Sequence, residues 1–238
     1  MSQPSPPTAL VTGASSGIGL AIARQLLQRN TRIIAVARKP EKAAIDDPNF
    51  IPLAIDLADI DALSRVLAKT CREHSVDYFV HCAGQGLFGS IEQFSSEQID
   101  HNIRVNLTSA LVLAHYLVPP MRARKSGRIV FIGSESAWKP GRKGSLYCSG
   151  KFGLRGLALS LREDCSRDGI PVTLINPGMT RTPFFDGLGF RPGADPSNAI
   201  DAQDVATLVM QLLDSNPQMV VDEINLSPRN KSIDFGPA

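Results

Sequence analysis

The sequence predicts an α/β fold: a single-domain, doubly wound, mostly parallel sheet flanked by helices on both faces. Three observations predict it. Short runs rich in β-branched residues alternate with longer amphipathic stretches along the chain, the pattern of repeated βαβ units. The runs are apolar throughout, as in Arg128-Ile129-Val130-Phe131-Ile132 after its first residue, which suits strands covered on both faces. Finally, 238 residues at 43% hydrophobic content fill one sizeable core and leave little room for a second full domain.

The elements follow from composition and punctuation. The first strand spans Thr8 to Thr12, and a helix runs from Gly17 to about Arg29. Further strands are predicted over Thr31 to Ala37, Phe50 to Ile55, Val76 to Cys82 and Arg128 to Ile132. Helices fit between them: Asp59 to about His74, a stretch opened by Ser95 to Gln98, and Tyr147 to about Arg167. Ser95 and Gln98 have capping-box spacing, in which each side chain satisfies the other residue's backbone N–H. Pro171 to Ile175 and Val220 to Ile224 are the last strands. Met1 to Pro7, rich in serine and proline, is predicted to be a disordered tail, and residues 8–238 one domain without internal repeat or long linker.

Composition narrows the function classes. The net charge of +2 comes from lysines and arginines spread along the chain, so neither nucleic acid nor an anionic membrane meets a concentrated field. The start lacks a basic and apolar leader, and no run approaches membrane-spanning length. A cytoplasmic protein acting on small molecules is expected. Cys71, Cys82, Cys148 and Cys165 form no C-x-x-C pair and read as buried or free thiols of a reducing compartment. His74, His81, His101 and His115 lack metal-ligand spacing, so no metal is assigned.

Ligands of such sheets bind beyond the carboxyl ends of the strands. The first end carries Thr12-Gly13-Ala14-Ser15-Ser16-Gly17-Ile18-Gly19, a G-x-x-x-G-x-G turn between strand and helix. Glycines there let the backbone turn sharply and approach a pyrophosphate held at the helix start. Gly13, Ser15, Ser16, Gly17, Ile18 and Gly19 are therefore candidate dinucleotide-binding residues. The second strand ends in Ala37-Arg38-Lys39. An acid at that place would bind the ribose hydroxyls of NAD and repel a 2′-phosphate. Arg38 instead offers a bidentate phosphate partner, and Lys39 adds a second charge. Adjacent basic residues are more often a solvated loop pair, but the missing acid favours NADP(H).

Read with residues further along, the pattern resembles the short-chain dehydrogenase/reductase family from about residue 8 to about residue 225. The resemblance implies a Rossmann-type domain that moves a hydride between nicotinamide and a carbonyl or alcohol. It puts the family's adenine-contacting acid at Asp56 in Ile55-Asp56-Leu57, with Leu57 also in the cofactor set. The family's N-N-A-G stretch corresponds to His81-Cys82-Ala83-Gly84, where both asparagines are replaced. Ala83 and Gly84 still allow close backbone approach. After the sixth strand, Asn176-Pro177-Gly178-Met179-Thr180-Arg181-Thr182 resembles the turn that holds the nicotinamide carboxamide, through Pro177, Gly178, Thr180 and Thr182.

The same resemblance implies the catalytic set Ser134, Tyr147, Lys151 and Asn106, with Tyr147 and Lys151 in the Y-x-x-x-K arrangement. Four residues apart on a helix, these two share one face. A phenol with a pKa of about 10 is a poor base at neutral pH. Lys151, assisted by oxidised nicotinamide, is expected to lower that pKa and to hold the nicotinamide ribose. Tyr147 is then the general acid or base, and Ser134 polarises the substrate oxygen. Asn106 anchors a water through which Lys151 relays protons.

Residues 183 to about 196 include Phe184-Phe185-Asp186-Gly187-Leu188-Gly189-Phe190, an apolar, glycine-punctuated stretch where the family carries its substrate lid. Left exposed it would be a liability unless it closed over something. Its phenylalanines and Leu188, expected to face Trp138 and Phe88, suggest a partly apolar substrate. The apolar faces of Asn106 to Met121 and Phe152 to Leu161 correspond to helices that pair between subunits in the family, which implies a homodimer or homotetramer. A reading of another class is a cofactor-binding regulator or scaffold without turnover. The intact Ser134, Tyr147, Lys151 and Asn106 favour the enzyme.

Overall fold

The β-branched runs form strands in the computed structural model, which describes residues 5–216 and 218–236. Residues 1–4 of the expected tail lie outside that description. The first half comprises β1 (Thr8–Thr12), α1 (Gly17–Gln28), β2 (Arg32–Ala37), β3 (Phe50–Ala54), α2 (Ile60–Glu73) and β4 (Tyr78–His81). Then come α3 (Ser96–Ile103), α4 (Ser109–Arg124), β5 (Arg128–Ile132), α5 (Ser145–Cys165) and β6 (Val172–Pro177). The remainder holds β7 (Thr180–Arg181), β8 (Phe190–Pro192), β9 (Ile200–Asp201), α6 (Ala202–Leu213), β10 (Glu223–Leu226) and β11 (Ile233–Phe235).

Seven strands form one sheet in the order β10-β6-β5-β4-β1-β2-β3, with every neighbouring pair parallel. The chain winds outward from β1 in one direction and from β4 in the other, so the crevice where ligands bind such sheets opens between these two strands. Successive side chains leave opposite faces of a strand. Ala9 and Val11 accordingly join the core under α1 and α6, with Ile22, Leu26, Val205 and Val209. Leu10 joins the other core, with Phe79, Phe131, Leu63, Leu113 and Leu154. Phe131 is fully buried, and truncating it to alanine is expected to destabilise the fold by about 3–5 kcal/mol.

Local chemistry sets the helix starts. Asp59 caps α2 by accepting the Ala62 N–H at 2.9 Å, and the Ser95–Gln98 box forms as predicted. Several boundaries differ from the sequence reading: β4, for one, is shorter than the expected Val76 to Cys82, and three others bear on the site. Helix α5 begins at Ser145, so Tyr147 lies inside its first turn. Strand β6 runs on to Pro177, because Gly178 N–H still finds the Leu226 carbonyl at 2.8 Å. The last sheet strand starts at Glu223 rather than Val220; an acid is tolerated there because Arg155 pairs with both of its carboxylate oxygens at 2.9 Å. Among the described residues no helix is long and apolar enough to cross a membrane.

Candidate active site

The glycine turn after β1 is shaped by what its neighbours leave no room for. Gly13 and Gly17 take φ of +68° and +53°, a region that residues with a Cβ rarely enter. A Cβ on Gly19 would strike the Gly13 carbonyl oxygen. A Cβ on Gly13 would lie 3.1 Å from Ala83 Cα, and one on Gly17 would lie 3.1 Å from Thr182 Cβ. The turn therefore touches both the end of β4 and the segment after β6. Ser16, the N-cap of α1, makes no side-chain cap hydrogen bond, which leaves the first N–H groups of a twelve-residue helix for another acceptor. An uncapped helix start behind a turn stripped of side chains fits a pyrophosphate in space and in charge.

Around this cradle stand the other expected cofactor residues. Gly13 N–H donates to the Val36 carbonyl at 2.9 Å, which fixes the turn to the end of β2. The next residues outward, Arg38 and Lys39, are exposed, and their side chains make no hydrogen bond or ion pair among the described residues. Asp56 spends one oxygen on the Ala58 N–H at 3.0 Å, and Leu57 is buried. Thr180 is buried with its hydroxyl on the Gly178 carbonyl at 3.1 Å, and the Thr182 hydroxyl donates to the Thr180 carbonyl at 3.3 Å.

The end of β4, where the family's two asparagines are replaced, is bonded by other means. The Thr12 hydroxyl oxygen accepts the N–H of Cys82 at 3.1 Å and of Ala83 at 3.0 Å, and lies 3.0 Å from His81 Nδ1. With both lone pairs taken, the Thr12 proton goes to Nδ1, which assigns the ring proton of His81 to Nε2. Burial, then the charge of Lys151, pushes the His81 pKa down to about 3, so the ring stays neutral.

One residue further, Gln85 is gripped by two amides. Asn106 Oδ1 accepts the Gln85 N–H at 3.0 Å, and its Nδ2 donates to the Gln85 carbonyl at 3.0 Å. Asn102 Nδ2 reaches the same carbonyl at 3.3 Å, and Asn106 Nδ2 donates to Asn102 Oδ1 at 3.0 Å. Asn106 sits in a single π-helical turn, Arg104–Thr108, that joins α3 to α4; such turns occur frequently at functional sites. The expected water-anchoring role cannot use the amide hydrogens of Asn106, since protein acceptors surround them.

Ser134 follows β5, and its backbone N–H donates to Asn176 Oδ1 at 3.3 Å. Asn176 is itself held by Glu223 at 2.6 Å and Asn225 at 2.9 Å. Tyr147 and Lys151 both point from α5 into the protein, 5% and 3% exposed. Lys151 Nζ donates to the Ile132 carbonyl at 3.2 Å and lies 5.9 Å from the centre of the Tyr147 ring. A Cβ on Gly84 would be 3.0 Å from Asn106 Oδ1 and 3.2 Å from Lys151 Nζ, so all four expected catalytic residues converge on the ends of β4 and β5.

In the chain alone, burial sets the electrostatics of the pair. Burial pushes the Tyr147 phenol up to about 12, against the downward pull of the Ser134 hydroxyl, while Cys148 and Glu135 push it further up. Burial also works against the Lys151 ammonium and pushes it down to about 8. Desolvation is the largest influence on both groups, and the phenol remains protonated.

Above Tyr147 the phenylalanines of residues 184–190 form a closed circuit. Tyr147 lies 5.0 Å from Phe88 and 5.8 Å from Phe184; Phe88 lies 5.0 Å from Phe190; Phe185 lies 5.2 Å from Phe184 and 5.9 Å from Phe190. Phe88 faces the segment as expected. Trp138 does not: it is 41% exposed and outside the circuit, since the turn after Ser134 carries it outward. Sequence reasoning also passed over Thr12, Asn102 and Asn176. Of these only Asn102 had a signal, four residues before Asn106 on the same helical face.

An uncapped dinucleotide cradle beside a serine, a tyrosine and a lysine defines an oxidoreductase-type Rossmann domain. The sequence model described as short chain dehydrogenase matches residues 7–189. An uncharacterized oxidoreductase of Staphylococcus epidermidis is 31% identical over 225 residues, covering 92% of this chain and 96% of its own. A short-chain dehydrogenase structure from Streptomyces avermitilis superposes with a TM-score of 0.83 at 25% identity, over 94% of this chain and 89% of its own. A metagenomic short-chain oxidoreductase solved in complex with NADP has a TM-score of 0.79 at 30% identity, over 94% and 98% of the two chains. The chain belongs to the short-chain dehydrogenase/reductase family of oxidoreductases.

Proposed function

We propose that the protein is an NADP(H)-dependent reductase or dehydrogenase of carbonyl and alcohol groups in which Tyr147 is the general acid or base. The observation that carries this reading is the convergence of Ser134, Tyr147, Lys151 and Asn106 beside the glycine cradle. The first N–H groups of α1, with Gly13, Ser15, Ser16, Gly17, Ile18 and Gly19, hold the pyrophosphate. Arg38 and Lys39, exposed and without side-chain partners among the described residues, take the 2′-phosphate; Asp56 and Leu57 line the adenine side, and Ala83 and Gly84 let the backbone approach the cofactor. Pro177, Gly178, Thr180 and Thr182 line the nicotinamide side. The NADP complex of the 30% identical relative supports this choice of cofactor.

When bound, the reduced cofactor supplies the hydride. Ser134 donates a hydrogen bond to the substrate oxygen and stabilises the negative charge that grows there. Tyr147 gives its proton to that oxygen, and the raised phenol pKa keeps the group protonated and ready for reduction. Lys151 orients the nicotinamide ribose and returns a proton to Tyr147, while Asn106 fixes the backbone at Gln85 beside it. Residues 183–196 act as the lid, and their aromatic lining favours a partly apolar substrate. Leu111 and Phe152 are exposed on α4 and α5, which fits a homodimer or homotetramer built on those helices.

The test is NADPH consumption against a panel of carbonyls, run with wild type and Tyr147→Phe. Turnover is expected in wild type and lost in the variant, with NADPH binding retained in both. Unchanged turnover in Tyr147→Phe would overturn the assignment. Binding of NADPH without turnover of any carbonyl would favour a regulator.

A further inference from the structure

We infer that Lys231 is a positioning residue that latches the lid to the loop bearing Ser134. The inference rests on the reading of Ser134 and Tyr147 as the reacting centre. Lys231 Nζ lies 2.7 Å from Glu135 Oε2, and Glu135 immediately follows Ser134. The Glu135 side chain is 27% exposed against 50% for Lys231, so the lysine reaches from the surface into a partly covered carboxylate.

Lys231 belongs to the segment that runs along the lid. Strand β11 pairs antiparallel with β8, Phe235 opposite Phe190 and Ile233 opposite Pro192. The pairing is extended at both ends, by Gly193 N–H to the Ser232 carbonyl at 3.0 Å and by Gly236 N–H to the Gly189 carbonyl at 3.3 Å. Asn230 adds a backbone N–H to the Ser197 carbonyl at 3.0 Å and an amide Nδ2 to Ser197 Oγ at 2.8 Å. Residues 230–236 thus follow the lid from Ser197 back to Gly189. Within that stretch Phe190 touches Phe88, which in turn packs on Tyr147.

A two-stranded ribbon is marginally stable by itself, and this one has little burial to help it: every residue of β11 is exposed, Phe235 at 81%. Yet Tyr147 is 5% exposed beneath an aromatic circuit to which the ribbon contributes Phe190, so opening of the ribbon loosens the cover over the phenol. Weak pairing suits an element that must open at each turnover. The Lys231–Glu135 ion pair joins that ribbon to the loop of Ser134, and so sets the closed position against the reacting centre. Being partly exposed, it biases the equilibrium modestly rather than locking it.

Hydrogen exchange of wild type, Lys231→Met, Glu135→Gln, the double variant and Lys231→Arg tests the latch without any substrate. Amides of residues 189–193 and 230–236 are expected to exchange about two- to fivefold faster in each single variant. The double variant should match the singles, and Lys231→Arg should restore slow exchange. With the best carbonyl of the panel, KM should rise by a similar factor in Lys231→Met while kcat and NADPH affinity are kept. Unchanged exchange in the single variants, or a double variant equal to the product of the two effects, would overturn the latch. Turnover by Tyr147→Phe would instead remove the reacting-centre reading and leave the exchange result standing.

Discussion

The buried side chains of Asn102 and Asn106 bond to each other and share the Gln85 carbonyl, with 3.0 Å between Asn106 Nδ2 and Asn102 Oδ1. Asn106 thus donates to Asn102, and the two amides together hold the chain beside Gly84. Asn102→Ala strips Asn106 of an acceptor and Gln85 of a donor. A loss of about 1–3 kcal/mol is expected in urea unfolding, together with reduced turnover. Combined with Asn106→Ala it should destabilise by less than the sum of the two single effects, because the pair acts as a unit.

For Tyr147→Phe a fall of about 10²–10⁴ in turnover is expected, the usual worth of positioned acid–base catalysis. Titration of NADPH by fluorescence should give nearly the wild-type affinity, since the ring and its packing are kept.

The pH dependence of reduction follows from the two shifted groups. Tyr147, held near 12, stays protonated across the working range, while Lys151, held near 8, loses its charge as pH rises through that value. Reduction measured as kcat/KM should therefore fall on the alkaline side of about pH 8. Lys151→Arg, whose guanidinium keeps its charge, should shift that limb upward even where its absolute rate is lower.

His81 makes a separate prediction about stability. Its folded pKa is lowered from 6.5 to about 3, so between those values the unfolded chain takes up a proton that the folded chain refuses. Stability is full above pH 6.5 and declines as pH falls towards 3, by roughly 1 kcal/mol per pH unit. His81→Asn keeps an acceptor for the Thr12 hydroxyl and removes the titration. Urea unfolding between pH 7 and 4.5 should show a flatter acid limb in the variant.

Arg38→Asp tests the choice of cofactor. The acid removes a charge-assisted phosphate partner and adds repulsion, while it can accept from ribose hydroxyls. NADPH affinity should fall by about tenfold or more relative to NADH. An unchanged preference would place the 2′-phosphate elsewhere.

The strands and the glycine turn were legible because they rest on short-range signals. The apolar runs of β1 and β5 and the glycines at 13, 17 and 19 declare themselves within a few residues. The Y-x-x-x-K spacing did the same for Tyr147 and Lys151. What escaped was long-range or depended on burial. Asn176 reaches Ser134 from a neighbouring strand, and Thr12 meets the end of β4 at a distance of about seventy residues along the chain. The direction of the Tyr147 shift depends on how completely the ring is covered, which no local pattern encodes. The late start of β10 was hidden because its acid is neutralised by Arg155, far away in sequence.

The chain contains one tryptophan, and the turn that starts at Ser134 places it at the surface beside Glu135. Reduced nicotinamide absorbs where indole emits, so Trp138 is a built-in optical donor whose signal comes from a single known position. Cofactor loading should quench it by energy transfer. Binding of reduced nicotinamide cofactor should thus be measurable in the unlabelled protein, on the timescale of a mixing experiment.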